Sequence, residues 1–379
     1  MKLKLLLLFV ILISLSACTN PVFLPADIAT PTINELNIQS STEDRTQTTA
    51  TSTAVYTQTA TITSTPTITP EPPTPTPTPG ELDQFTYDGL YPGVAPVQYI
   101  EDPCVYLSNR WGDGKSSPGT IVVPIMFHSI AKPGREIRDS TTISMTYFEY
   151  FMKFAKETGF STITVNELIG FLKNNEKIPE HSMLLILDDR RPGVTELFMP
   201  YLEANNWTLT LGWPTTDATD DALWARMEGL AEDGRLDVQS HGHNHIYIQD
   251  YTSLDEIEEE IYRPIEVIQE HFGTLPEAII WPGGNFTQRS VEIAREAGFE
   301  VGFTVYSRGP LLFDWIPLGE QEMAIGDPLM VLPRFWATAA DVALRDALEI
   351  SEAAREAALA VKSDELTYYE MYCQPVEND

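Results

Sequence analysis

From residue 121 onward, two hydrophobic patterns take turns along the chain. One is a short unbroken apolar run, as in Ile121-Val122-Val123-Pro124-Ile125-Met126-Phe127 and Met183-Leu184-Leu185-Ile186-Leu187. Runs of this length and continuity read as strands covered on both faces. The other places apolar residues every three or four positions, the stripe of an amphipathic helix. Strands are therefore expected at 121–127, 160–164, 183–187, 207–212, 236–241, 278–282, 299–305 and 330–335. Helices are expected at 146–158, 166–174, 194–205, 221–232, 254–272 and 288–297, with a last one over 338–361. Gly159 should stop the first helix and Pro264 should kink the one in which it falls. This alternation predicts a parallel α/β architecture, barrel-like or doubly wound. Residues 80–118 carry Tyr-Pro-Gly and Trp-Gly-Asp-Gly turns with little periodicity and read as irregular.

The N-terminal part of the 379-residue chain is of another kind. Lys2 and Lys4 precede an apolar run over 5–15, too short for a comfortable membrane span but suited to a signal peptide. The run ends in Leu15-Ser16-Ala17-Cys18, which resembles a bacterial lipoprotein processing site with Cys18 as the lipidated residue; the alternative is an ordinary secretory signal with a chance cysteine. Residues 19–80 are dominated by Thr, Ser and Pro and cannot bury enough apolar surface to offset the entropy of ordering. As a flexible tether of ~60 residues they would span about 45 Å. The expected organisation is thus a signal peptide with lipobox at 1–18, a linker at 19–80, an irregular extension at 81–120 and a catalytic domain at 121–379. The expected location is extracytoplasmic, lipid-anchored to the bacterial cell membrane.

A net charge of −31 argues against nucleic acid or anionic lipid as partners through the general field of the protein. It equally serves to keep a secreted protein soluble. Apart from Cys18, the cysteines are Cys104 and Cys373, one near each end of the folded part. In an oxidising compartment such a pair suggests a disulfide, with two buried thiols as the alternative.

The candidate chemistry lies at strand ends. The Met183 run leads directly into Asp188 and Asp189. Ionised carboxylates there are costly unless a cation or hydrogen bonds compensate them, and the carboxyl end of a parallel strand is where α/β folds bind ligands. Either aspartate alone would pass for a helix cap. Adjacent side chains on a strand point to opposite faces, so the two aspartates are expected to have different roles. Three of the six histidines, His241, His243 and His245, follow the strand at 236–241. His241 and His245 would share one face of a helical turn. Two imidazoles and a carboxylate form a three-ligand site for a divalent cation with positions left open; the plainer reading is a solvated histidine-rich loop. His243 is expected to be supporting or exposed. His128 ends the first strand, which places it at the same rim unless it is a structural imidazole.

Taken in order, these pieces resemble the polysaccharide deacetylases, or NodB-homology carbohydrate esterases. Leu187-Asp188-Asp189 is similar to the end of their first motif, His241 to His245 to their His-three-residues-His motif, and Trp281-Pro282-Gly283-Gly284-Asn285 approximates a later Tyr-Pro-Tyr-Gly-like loop. Val123-Pro124-Ile125-Met126-Phe127-His128-Ser129-Ile130 is similar to the opening of the secreted branch that acts on poly-N-acetylglucosamine. The resemblance spans roughly 120–336. It implies a distorted (β/α) barrel, Asp188 as catalytic base, Asp189, His241 and His245 as metal ligands, and His128 as catalytic acid, since no histidine follows His271. Arg334 would orient Asp188, or form a surface ion pair, and Trp281 would stand near the substrate. The implied cofactor is zinc, with cobalt, nickel or iron also compatible with the ligand set. The implied activity is N-deacetylation of an acetylated glycan polymer by a monomer. An O-acetyl esterase would use the same machinery. This chain departs from the family pattern at Arg190, which replaces a glycine after the aspartates and is followed by Arg191. Arg190 would either crowd the groove, leaving a glycan-binding protein without turnover, or bind an acidic sugar or phosphate.

Overall fold

The computed structural model describes residues 82–373. Cys18, the signal segment and the whole of the linker lie outside the described residues. The elements run in the order β1 (Ala95–Val97), α1 (Pro103–Trp111), β2 (Ile121–Phe127), β3 (Ser129–Ala131), β4 (Thr142–Ser144), α2 (Met145–Glu157), β5 (Ser161–Thr162), α3 (Val165–Asn174), β6 (His181–Asp188) and α4 (Pro192–Asn205). They continue with β7 (Leu209–Trp213), α5 (Asp221–Ala231), β8 (Leu236–Ser240), α6 (Leu254–Phe272), β9 (Ala278–Ile280), α7 (Gln288–Glu296) and β10 (Val301–Phe303). The last are β11 (Ile316–Leu318), α8 (Glu320–Met323), β12 (Phe335–Trp336) and α9 (Ala340–Tyr372).

The principal sheet is parallel throughout, in the order β10-β9-β8-β7-β6-β2-β12, with β5 beside the start of β6. A parallel bridge between Phe303 and Leu332 brings its two edges together, so the sheet curls into a barrel-like α/β fold. The unbroken apolar runs have a direct cause. Ile121, Val123, Ile125 and Phe127 enter one core cluster with Met183, Leu185 and Leu187, whereas Val122 enters another with Leu184 and Ile186. Both faces of β2 and β6 are therefore dry.

Local signals fix the helix ends. A capping box between Ser253 and Glu256 starts α6, and Gly273, with φ 71°, ends it. Pro264 lies inside that helix on its buried side. Its apolar face also contains one acid, Glu260, between Ile257 and Ile261.

Besides the short elements β1, β3, β4, β11 and α8, which no pattern announces, three segments differ from the sequence expectation. Residues 103–111 form α1, capped by the Asp102 side chain with Pro103 in the first turn; the surrounding Gly and Pro turns masked those start signals. The last helix continues to Tyr372 because its far end packs on α1. There the buried Glu365 accepts from Trp111 Nε1 at 2.6 Å and pairs with Arg110 at 3.1 Å, and Cys104 and Cys373 form a disulfide with their Cα atoms 5.3 Å apart. The expected strand at 330–335 is broken: Met330 and Val331 end a 3-10 turn, Pro328–Val331, the residues after them are irregular, and Phe335–Trp336 pairs with β2. Pro333 lacks the N–H that a longer ladder would need. Among the described residues, no helix is long and apolar enough to cross a membrane.

Candidate active site and metal centre

Strand register brings the chemistry to one rim. Phe127 lies opposite Leu187, Asp188 opposite Gly212, and Trp213 opposite Ser240. His128, Asp188 and His241 therefore leave β2, β6 and β8 at the same end of the sheet. Gly212 is needed for this, because a Cβ there would stand 3.0 Å from Asp188 Oδ1.

Asp188 is 1% exposed. Both its oxygens accept from Arg334 Nη1, at 2.7 and 2.9 Å. Arg334 is fully buried and its Nε donates to the Thr304 carbonyl at 2.7 Å, which fixes the guanidinium from β10's side of the barrel. Burial pushes the Asp188 carboxyl up, but Arg334, His241 and His128 together hold it below its ordinary value. Asp188 is thus an ionised carboxylate at neutral pH despite its burial. His128 Nε2 stands 3.7 Å from Asp188 Oδ2, and its ring stacks on Trp336 with centroids 6.0 Å apart. Burial lowers the His128 pKa, against the pull of Asp188 and Asp189.

Asp189 turns away from its neighbour, but not through strand alternation. The strand has ended, and Asp189 has φ 70°, a left-handed conformation that swings its side chain towards the histidine loop. Its Oδ1 lies 3.4 Å from His245 Nε2 and 3.9 Å from His241 Nε2. The two Nε2 atoms are 3.2 Å apart, and one donor atom from each of the three residues falls within 4.8 Å of the others. His241 is 1% exposed, and its Nδ1 lies 2.6 Å from the Ile280 carbonyl. That carbonyl can only accept, so Nδ1 carries the proton and Nε2 presents a lone pair to the cluster. Burial lowers the His241 pKa to about 4, against the pull of Asp188. A neutral imidazole, a second imidazole and a carboxylate oxygen directed at one point suit a divalent cation.

No helical turn joins His241 to His245. The loop bends through left-handed positions at Gly242, φ 75°, and His245, φ 59°. Glu260 of α6, 1% exposed, holds the bend by accepting from the backbone N–H of Asn244 at 2.5 Å and of Ile246 at 3.2 Å. A Cβ at Gly242 would collide with that carboxylate. Glu260 was legible in the sequence only as an acid on the apolar stripe of an otherwise well-patterned helix. Glu260→Gln should weaken the affinity of these three donors for an added divalent cation by about 10-fold or more, as read with zinc as the probe by competition with a colorimetric chelator; unchanged affinity would remove Glu260 from the support of the loop.

Of the other expected site residues, His243 is buried with Nδ1 3.0 Å from Thr215 Oγ1, on the far side of the loop and not exposed. Trp281 is not at the rim. It is fully buried, and its indole N–H donates to the Met330 carbonyl at 2.9 Å, so it packs the core beneath the site. Arg190 donates from Nη1 to Thr219 Oγ1 at 2.9 Å. Arg191, mentioned in the sequence only as its neighbour, makes the closer contact with the cluster: Nη2 lies 3.0 Å from Asp189 Oδ2, and Nη1 donates to Ser129 Oγ at 2.8 Å. Beside these groups opens a cleft of about 440 Å³.

Residues 175–302 match the model of the polysaccharide deacetylase family. A curated relative, YxkH of Bacillus subtilis (strain 168), is named for the same family; it is 22% identical over 185 residues, which make up 48% of this chain and 63% of that protein's length. Among solved structures, the Streptococcus pyogenes deacetylase PplD, in complex with acetate, shares the fold at a TM-score of 0.51 and 17% identity, covering 61% of this chain and 99% of that one. IcaB from Ammonifex degensii is similar at a TM-score of 0.48 and 16% identity over 62% of this chain and 98% of that one. Residues 175–302 of this chain are thus similar to the polysaccharide deacetylase family, and the fold around them is that of a solved deacetylase.

Proposed function

We propose that this protein is a metal-dependent hydrolase that removes N-acetyl groups from N-acetylglucosamine-containing polysaccharide of the cell surface or wall. The observation that carries this reading is the convergence of Asp189 Oδ1, His241 Nε2 and His245 Nε2 within 4.8 Å, beside an ionised, buried Asp188. A divalent cation held by those three atoms would lower the pKa of a water and polarise an acetyl carbonyl. Zinc is the favoured ion, and cobalt, nickel and iron accept the same donors.

The remaining chemistry belongs to the chain's own side chains. Asp188 accepts the proton of the attacking water through Oδ2, the oxygen that faces both His128 and His241 at 3.7 and 3.8 Å. A carboxylate with a lowered pKa is a weak base, sufficient only for a water already acidified. Arg334 keeps the carboxylate ionised and aimed. His128 protonates the departing amine from Nε2, the atom it turns towards Asp188 Oδ2 at 3.7 Å. Trp336 fixes the plane of that ring.

A second reading is a glycan-binding protein of the same fold without turnover. The pair between Arg191 and Asp189 Oδ2 favours it, because a guanidinium on the ligand carboxylate opposes a second cation. An O-acetyl esterase would need no different residue. We also place the mature chain outside the cytoplasmic membrane, held through a lipid on Cys18, and acting as a monomer. Acetate release from chitooligosaccharides by purified protein decides among the readings. The expected result is release that a chelator abolishes and added zinc restores; no release from N-acetylated or O-acetylated glycans under any metal leaves the binding reading.

A further inference from the structure

Arg190 stands where the family pattern has a glycine, next to the two aspartates of the site. It does not fill the groove. Its side chain lines the cleft and is tied to Thr219 behind it, leaving about 440 Å³ open between Asp189, Arg191, Asn244 and His245. One guanidinium N–H is used by the Thr219 hydroxyl, a neutral partner. Among the described residues Arg191 pairs with Asp189, whereas Arg190 takes part in no ion pair. That is unusual in a chain with 55 acidic and 24 basic residues, where nearly any arginine has a carboxylate to meet. The carboxylate that lines the cleft, Asp189, already has its Oδ2 on Arg191 and its Oδ1 towards the histidines.

We propose that this cleft takes an anionic substituent, a carboxylate or a phosphate, carried by the N-acetylated glycan beside the residue to be deacetylated, and that Arg190 is the group that recognises it. The proposal rests on the reading of the site as one for an acetylated glycan. A planar guanidinium offers two parallel donors to a carboxylate or phosphate, and Thr219 holds Arg190 over the cleft without neutralising it. The neighbouring Thr216 and Asn244 add neutral polar groups to the same wall. The overall negative charge of the protein opposes an anionic polymer at long range, but at physiological ionic strength that field is screened beyond about 8 Å. Recognition would therefore be short-ranged and concentrated in this cleft.

The test uses three matched N-acetylated tetrasaccharides, one neutral, one bearing a carboxylate and one bearing a phosphate. Their affinities for the zinc-loaded protein are measured by calorimetry, and acetate release is followed from each. At least one anionic oligosaccharide should bind ten-fold or more tighter than the neutral one, and which of them does so tells carboxylate from phosphate. In Arg190→Gln that ratio should fall to within two-fold, with Arg190→Lys between. Equal affinities for all three, or a preference that survives in Arg190→Gln, would overturn the assignment. If the anionic sugar binds through Arg190 and none releases acetate, the recognition stands and the hydrolase reading fails. If all three release acetate alike and bind alike, the hydrolase reading stands and the recognition fails.

Discussion

Asp188→Asn is expected to lower kcat/KM for acetate release by about 10²- to 10⁴-fold while zinc binding persists. The side chain keeps its shape and the three cation donors are untouched, since they belong to Asp189, His241 and His245. What is lost is the carboxylate beside the cluster that Arg334 holds ionised at neutral pH. The amide also meets Arg334 Nη1 with one oxygen where the carboxylate offered two, at 2.7 and 2.9 Å. Some loss of stability should accompany the loss of rate, so thermal unfolding belongs beside the kinetics. Full turnover in a variant that binds zinc normally would move the base elsewhere, with His128 the next candidate by position.

The second large effect falls on Arg334. Arg334→Met should destabilise the domain by about 3–5 kcal/mol, because it leaves a carboxylate buried without its cation. For a domain of this size that lowers the Tm by roughly 10 °C. Both groups are essentially inaccessible, 0% and 1% exposed, so water cannot take over from the guanidinium. A cycle separates the pair from its surroundings. In Arg334→Met with Asp188→Asn the uncompensated charge is gone, and most of the stability should return while activity does not. A single variant as stable as the wild type would show that the Arg334–Asp188 contact is not what holds the charge in the core.

These two residues mark what could be read from the sequence. Asp188 announced itself, because five apolar residues ending in two carboxylates make a dry strand with charge at its tip. The histidine cluster did so for the same reason, following β8 as the aspartates follow β6. Arg334 gave no comparable signal. A buried arginine and an exposed one look alike in sequence, and its partner lies 146 positions away. Trp281 was misplaced for a related reason. The order of motifs put it near the substrate, but the indole fits beneath the rim because Gly302 leaves room: a Cβ there would stand 2.8 Å from its Nε1. The separate orientations of Asp188 and Asp189 were expected from strand pleat. They arise from a left-handed turn at Asp189, a backbone state that residue type alone does not dictate for an aspartate. Arg191 carries no signal of its own beside Arg190, and only its place as the N-cap of α4 directs it back onto Asp189.

The disulfide between α1 and α9 has a mechanical side. Its two cysteines are 269 positions apart, so the barrel and every residue of the candidate site lie inside one covalent ring. A pull arriving along the N-terminal segment divides at Cys104. Part continues along the chain into β2, and part crosses to Cys373 and is distributed along α9, which packs on β2, α2 and β12. The domain would thus hang from two points and not one. If a long glycan held in the cleft resists that pull, part of the load enters the barrel sideways through α9, and β2, which presents His128 and is paired with β6 and β12, is spared carrying all of it lengthwise.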